Sequence, residues 1–198
     1  MPADPPQSWS RGQRALHWAI AAFILIAAPM GVYMVSLPFQ QLLLKFVLYQ
    51  LHKTIGITVF LLVLAQLTFH WRRGRPAPGD DVPGWQQRAA PRVHAALFVL
   101  MVATPCLGYL TAATAPVAIP TLFLGVIPVP HVVGTDPAWF QVLRQAHMAC
   151  AMALLVLVCG HAGAAVHHHW NGHDTLVGML RGRRTLPGRV KYDTISNG

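Results

Sequence analysis

Apolar residues form four long blocks along the chain, separated by short segments rich in charge, proline and glycine. About 20 apolar residues in a helix span the hydrocarbon of a bilayer, so each block can cross it once. The pattern predicts an all-α fold, a transmembrane four-helix bundle that uses residues 1–198 as a single membrane domain. The blocks run over about residues 15–35, 48–71, 93–114 and 140–170.

The segment between the third and fourth blocks, residues 115–137, is apolar but cannot continue a helix. It carries prolines at 116, 120, 128, 130 and 137, which one regular helix does not accommodate. We predict a proline-rich loop at the membrane interface. After the fourth block the chain ends in a basic tail, residues 175–198. No small-residue cleavage site follows the first block, so it is expected to remain as a membrane anchor.

Lysine and arginine fall mostly on one side of the four spans. The two tails and the loop between the second and third blocks hold 12 of the 15, whereas Lys45, Lys53 and Arg144 lie on the other side. Because cytoplasmic segments carry the excess of positive charge, both termini are predicted in the cytoplasm. The chain is expected to be a multi-pass membrane protein.

Composition excludes several functions. The chain is 54% hydrophobic and 11% charged, whereas soluble domains are about 25% charged. In a soluble protein, a net charge of +9 would suggest that nucleic acid is a partner. Here most of the basic residues lie outside the apolar blocks, so those blocks are expected to be surrounded by lipid. The six acids are all Asp outside those blocks. Carboxylate acid–base chemistry at membrane depth is therefore excluded, and no catalytic residue is assigned.

Four of the eleven histidines occur at matched depths of the predicted spans. His17 and His161 lie toward the inner surface, and His52 and His147 toward the outer one. His161 follows His147 by 14 residues, which places both on one helix face about 21 Å apart. A porphyrin iron with two axial imidazoles needs such pairs on facing helices. The residue four positions after each histidine is small and could clear room for a flat ring: Ala21, Gly56, Ala151 and Ala165.

Spacing leaves alternatives open. His70 lies about five turns after His52 on the same face, and His94 begins the third block, so both are candidates for the inner pair. Any one histidine could instead bond between helices or sit among headgroups. The cluster at 167–169 fits an interfacial position better than a metal centre, because consecutive helical side chains point about 100° apart. Within it, His168 is a candidate for a quinone or proton path, with a solvated histidine as the alternative.

At these residues the chain resembles the bacterial cytochrome b561 family, the di-haem four-helix group that includes the cytochrome b subunits of membrane hydrogenases. The resemblance covers nearly everything from Arg14 to Leu180. No Cys-x-x-Cys-His motif occurs, so covalent c-type haem is excluded. The resemblance rests on Arg14-Ala-Leu-His17-Trp18, Leu51-His52-Lys53-Thr54-Ile55-Gly56, Arg92-Val-His94, Pro105, Gly108, Gln145-Ala-His147, Gly160-His161 and His168-His169-Trp170.

The resemblance implies two haem b groups, with His17 and His161 as axial ligands of the inner iron and His52 and His147 of the outer one. His70 and His94 are then not ligands. It also implies electron exchange with membrane quinone, and we place ubiquinone near His168 and Trp170. In the single-subunit members that look most similar, superoxide is oxidised at the outer surface while ubiquinone is reduced.

Two departures qualify the resemblance. Gln66 stands where the family often has Arg, which removes a charge partner for an inner haem propionate. Acids that usually flank the position of His147 are replaced by Gln145 and Met148. Lys45, Lys53 and Arg144 then give the outer surface a positive bias that could attract an anion such as superoxide.

The resemblance therefore implies an electron-transfer oxidoreductase of the respiratory chain in the bacterial inner membrane, with superoxide:ubiquinone oxidoreductase as one candidate activity. Two other classes stay open. One is a b-type cytochrome anchor subunit of a hydrogenase or dehydrogenase, which predicts a redox partner protein that co-purifies. The other is a histidine-rich metal transporter or sensor without haem, which the lack of acidic ligands in the spans disfavours.

Overall fold

The computed structural model describes residues 9–74, 84–171 and 175–181. It is mostly helical, and four of its helices are long and apolar enough to cross a membrane. A 3-10 turn over Phe39–Gln41 precedes the second helix. The long helices are α1 (Arg11–Ser36), α2 (Leu42–Arg73), α3 (Gly84–Thr114) and α4 (Pro137–Trp170), and a short α5 (Thr175–Arg181) follows them.

Each long helix extends beyond the apolar block that predicts it. α2 begins at Leu42, so Lys45 lies in its first turns rather than in a connection, and its Nζ donates to the carbonyl oxygen of Leu37 at 2.9 Å. α3 begins at Gly84 and includes Arg88 and Arg92. The difference arises because the apolar pattern marks only the part of a helix that lies in hydrocarbon. Helical hydrogen bonds continue through polar residues outside it.

Local sequence explains where two of the helices begin. Ser10 and Gln13 form a capping box at the start of α1, in which each side chain bonds the backbone N–H of the other. Asp136 accepts hydrogen bonds from the N–H groups of Ala138 and Trp139 at the start of α4, and Pro137 occupies the first helical position.

The buried core is small and lies where the four long helices meet. Large apolar side chains outside it stay exposed, for example Leu25, Val99 and Val156 at 56%, 66% and 66%. Exposed apolar faces on every long helix are typical of a bundle surrounded by lipid. α1 packs mainly against α2, and α3 against α4, so the bundle is built from two helical hairpins. The core comprises Ile20, Ile24, Ile55, Val59, Val63, Leu97 and Leu154.

A β-hairpin that was not predicted lies between α3 and α4. Its strands, β1 (Thr121–Phe123) and β2 (Ile127–Val129), pair antiparallel with Thr121 opposite Val129. Leu124 and Gly125 make the turn with positive φ angles of 54° and 77°. Strands of three residues are too short to give an alternating pattern. We call this end of the bundle the hairpin end, and the end with Arg11 and Trp170 the terminal end.

The hairpin is bonded to α2. Gln50 Nε2 donates to the carbonyl oxygen of Pro120 at 2.8 Å, and Gln50 Oε1 accepts from Leu122 N–H at 3.1 Å. Thr54 Oγ1 accepts from Leu124 N–H at 3.1 Å. Gln50 and Thr54 are buried, so these bonds satisfy polar groups that would otherwise be costly there. The hairpin therefore closes the bundle directly above His52.

At the terminal end, α5 lies against the start of α1. Arg14 Nη1 donates to the carbonyl oxygen of Leu180 and Trp18 Nε1 to that of Met179, both at 3.1 Å. The rest of the predicted basic tail, residues 182–198, lies outside the described residues. So do residues 75–83 of the predicted loop between the second and third spans.

Candidate functional site

The structure brings the four predicted histidines together as two pairs. His52 on α2 and His147 on α4 face each other at the hairpin end, with ring centroids 6.2 Å apart and ring planes at 87°. His17 on α1 and His161 on α4 face each other toward the terminal end, also 6.2 Å apart, with planes at 66°. α4 therefore contributes one imidazole to each pair.

Both separations fit a metal ion between the two rings. A metal–nitrogen bond of about 2 Å, plus about 1 Å from that nitrogen to the ring centroid, puts two axial imidazoles about 6 Å apart. Haem iron takes histidine as an axial ligand. In the part of the chain that the structure describes, no three or more His, Cys, Asp or Glu side chains are grouped to hold a metal ion. Two imidazoles at this separation fit a cofactor that brings the remaining metal ligands itself.

Hydrogen bonding fixes the tautomer of His147. Its Nδ1 lies 2.9 Å from the carbonyl oxygen of Thr104 on α3. A carbonyl can only accept, so Nδ1 carries the proton and Nε2 is left to bind a metal. The Nδ1 atom of His52 is buried and makes no hydrogen bond of ordinary length and angle within the described residues. The Ala27 backbone nevertheless lies close enough to interact with that ring.

Two further histidines lie near the terminal-end pair. The His94 ring is 5.2 Å from that of His161, closer than two imidazoles that share a metal. Its Nδ1 donates to the Ala90 carbonyl oxygen of its own helix at 2.7 Å. The His70 ring instead contacts Phe98 and Trp9, at 5.4 and 5.5 Å. Of the two alternatives that spacing leaves open, the structure places the ring of His94 in contact with that of His161.

Gln66 is a buried polar side chain at the same depth as the terminal-end pair. It is 5% exposed, and its Oε1 has no hydrogen-bond partner among the described residues. Gln66 follows His52 by two heptads, so it shares the interior face of α2 about 21 Å further along. An unpaired buried oxygen costs about 1–3 kcal/mol. A group that donates a hydrogen bond would remove that cost, whereas an ionised haem propionate only accepts and could bond only the Nε2 of this amide.

The two residues predicted for quinone lie beyond His161 on α4. His168 is half-buried, with its ring 6.3 Å from that of His167. Trp170 is 81% exposed at the last position of the helix. Both thus lie at the terminal end of the bundle. A quinone site there stays a prediction.

A polar network at the hairpin end was missed by the sequence analysis. His131 Nε2 lies 3.0 Å from Thr121 Oγ1. Tyr109 OH donates to the Pro130 carbonyl oxygen at 2.7 Å and accepts from Val132 N–H at 2.9 Å, so it ties the chain after β2 to α3. His131 stands in a segment without helical periodicity, where depth and face cannot be read from the sequence.

We expect the hairpin to loosen in mild acid. Burial, and next the charge of Lys53, lower the pKa of His131 below its ordinary value of 6.5. The folded state thus favours the neutral ring, so stability is full above pH 6.5 and falls as pH drops toward the lowered pKa. Amide hydrogen exchange of residues 121–131, corrected for its intrinsic pH dependence, should show reduced protection between pH 7 and 5. His131→Gln should abolish that difference; an unchanged difference would exclude His131 as its source.

Apolar membrane-crossing helices with paired imidazoles in their interior define the class of membrane-bound b-type cytochromes. A family model described as prokaryotic cytochrome b561 matches residues 8–182, so the chain belongs to that family, as predicted. This chain is 28% identical to cytochrome b561 homolog 1 of Escherichia coli (strain K12) over 180 residues. The alignment covers 89% of this chain and 98% of that protein. Cytochrome b561 homolog 2 of the same organism is 28% identical over 183 residues, with 89% and 93% covered.

Proposed function

We propose that this cytochrome b561 holds two haem b groups and carries electrons across the bacterial inner membrane between an outer donor and membrane quinone. The observation that carries the proposal is the presence of two histidine pairs, each with rings 6.2 Å apart, toward opposite ends of one bundle. Family membership supports haem b and electron transfer in general. The number of haems and the quinone are the proposed part.

His52 and His147 would hold the haem at the hairpin end, and His17 and His161 the one toward the terminal end. The bound haem supplies reversible one-electron chemistry, while the chain supplies ligation, orientation and a dry surrounding. The bond from His147 Nδ1 to Thr104 keeps Nε2 deprotonated for the iron. α4 fixes the separation of the two sites, because His147 and His161 lie on one continuous helix.

Positive charge at the hairpin end favours an anionic donor. Lys45, Lys53 and Arg144 lie there, and the acid described at this end, Asp136, is engaged in capping α4. An excess of positive charge raises the local concentration of anions, which supports superoxide as the donor, oxidised to dioxygen one electron at a time. Two electrons and two protons then reduce ubiquinone to ubiquinol near His168 and Trp170, at the other surface.

The first experiment is to record oxidised and dithionite-reduced spectra of the detergent-purified chain and to count extractable haem against protein. We expect about two non-covalent b haems per chain, one for each pair of axial imidazoles. One haem per chain would contradict the di-haem proposal, and a colourless chain would contradict the cytochrome proposal as a whole. The purified chain should then reduce ubiquinone when superoxide is supplied, and a partner needed for that reaction would instead favour an anchor subunit.

A further inference from the structure

Two glycines lie directly against the histidine rings at the hairpin end. A Cβ added at Gly108 on α3 would lie 3.0 Å from Cε1 and 3.2 Å from Nδ1 of His147. A Cβ added at Gly31 on α1 would lie 3.2 Å from Cε1 of His52. Carbon atoms attract best at about 3.5–4.0 Å and repel at shorter range. Either added methyl group would therefore push an imidazole away from its present position.

This proximity distinguishes the two glycines from the other described glycines. A Cβ at Gly56, Gly160 or Gly163 would meet nothing within 4 Å, so glycine at those places is not required by a neighbouring side chain. At Gly12 the nearest atoms, those of Phe69, lie at an ordinary 3.6 Å. Close contacts below 3.4 Å thus occur, within the described part of the chain, at the two glycines that face the hairpin-end pair.

Each glycine is one turn away from a carbonyl that interacts with the same ring. Thr104, four residues before Gly108, accepts the hydrogen bond from His147 Nδ1 at 2.9 Å. Ala27, four residues before Gly31, has the backbone that interacts with His52. α1 and α3 therefore present the same surface, a carbonyl and a glycine one turn apart. α1 presents this surface to His52 on α2, and α3 presents it to His147 on α4.

We propose that Gly31 and Gly108 are positioning residues that fix the rotation of the two hairpin-end imidazoles and thereby tune the haem they hold. The inference rests on the proposed haem ligation. The two rings are near perpendicular, at 87°, and the Cε1 edge of each approaches a helix at a position that has no side chain. With haem bound, the angle between the two imidazole planes would set the splitting of the iron d orbitals. The hydrogen bond from His147 Nδ1 would make that imidazole a stronger donor and so stabilise ferric iron.

The effect should be confined to one haem. A Cβ at Gly160 or Gly163, the glycines beside His161 on α4, would have open space around it. The terminal-end pair also has a different interplanar angle, 66°. Changing Gly31 or Gly108 should therefore alter the haem that is lost in His147→Ala and leave the other haem unchanged.

The test compares Gly108→Ala and Gly31→Ala with the matched control Gly163→Ala, an exposed glycine inside α4. The readouts are low-spin EPR spectra, redox titration of each haem and the rate of haem loss to an acceptor. We expect a smaller g anisotropy and a more positive midpoint potential for the hairpin-end haem. We also expect about tenfold weaker retention in Gly108→Ala, as for other changes that disturb the support of a metal ligand. Gly31→Ala should change the g anisotropy in the same direction by less, because its contact with His52 is longer.

Results can separate this inference from the proposed function. A wild-type chain with two haems whose Gly108→Ala and Gly31→Ala variants match Gly163→Ala would overturn the positioning role alone. A wild-type chain without haem would overturn the proposed function, and the positioning role with it. If Gly108→Ala does not fold, Gly31→Ala decides, because its contact requires the smaller displacement.

Discussion

His147→Ala is expected to remove one haem and leave one, which halves the haem content of the purified chain. The substitution deletes the Nε2 that the Thr104 bond keeps available for iron, and no imidazole remains opposite His52. The terminal-end pair lies about 21 Å further along α4 and keeps both of its rings. Extracted haem per protein should fall from about two to about one, as axial ligation requires, and the remaining haem should keep its midpoint potential.

His52→Ala should give the same spectrum, because it removes the opposite ligand of the same iron. His131→Ala is the matched control: it removes an imidazole at the same end that belongs to neither pair. Two haems with unchanged spectra in His147→Ala would show that the hairpin-end pair is assigned wrongly. Loss of haem in His131→Ala would show that the whole end of the bundle had been disturbed.

His17→Ala and His94→Ala should separate the two imidazoles that lie near His161. The ring of His17 is 6.2 Å from that of His161, which leaves room for an iron, whereas that of His94 is 5.2 Å away. We expect His17→Ala to lose the terminal-end haem and with it nearly all quinone reduction, while the hairpin-end haem still accepts electrons. We expect His94→Ala to keep two haems and most of its activity.

The haem-to-protein ratio and single-turnover reduction kinetics of both variants provide the measurement. The reverse result, with haem lost in His94→Ala and retained in His17→Ala, would assign His94 and His161 as the axial pair. Loss in both variants would mean that His94 is needed to hold the site together although it is not itself a ligand.

The membrane-crossing part of the fold was predictable because hydrocarbon imposes a length and a composition on each span. The ends of the helices were not predictable, because α3 begins with residues 84–92, which have no apolar pattern. The β-hairpin was also missed, because its strands are short and its bonds go to Gln50 and Thr54, some 70 residues earlier. Contacts that depend on tertiary packing leave no periodic signal.

The candidate site also has features that the sequence predicted and features that it could not predict. Depth and face along single helices predicted which histidines could meet, and the structure brings those four together in pairs. Depth and face could not decide which of His17, His70 and His94 pairs with His161, because the three residues lie on three different helices. Small residues one turn after each histidine were predicted to make room for a ring. That room for the porphyrin stays a prediction. The glycines that lie against the imidazole rings themselves, Gly31 and Gly108, are on neighbouring helices, where sequence spacing carries no information.

Gly108 and Tyr109 are consecutive, and this restricts how the gene can change over time. Gly108 faces His147, and Tyr109 holds the segment that leads into α4. Insertion or deletion of one codon earlier in α3 would rotate both through about 100°. Substitutions on the lipid-facing side, as at Val99, would leave both in place. Length variants among descendants of this sequence should therefore accumulate in the connections, and α3 should drift in composition while it keeps its length.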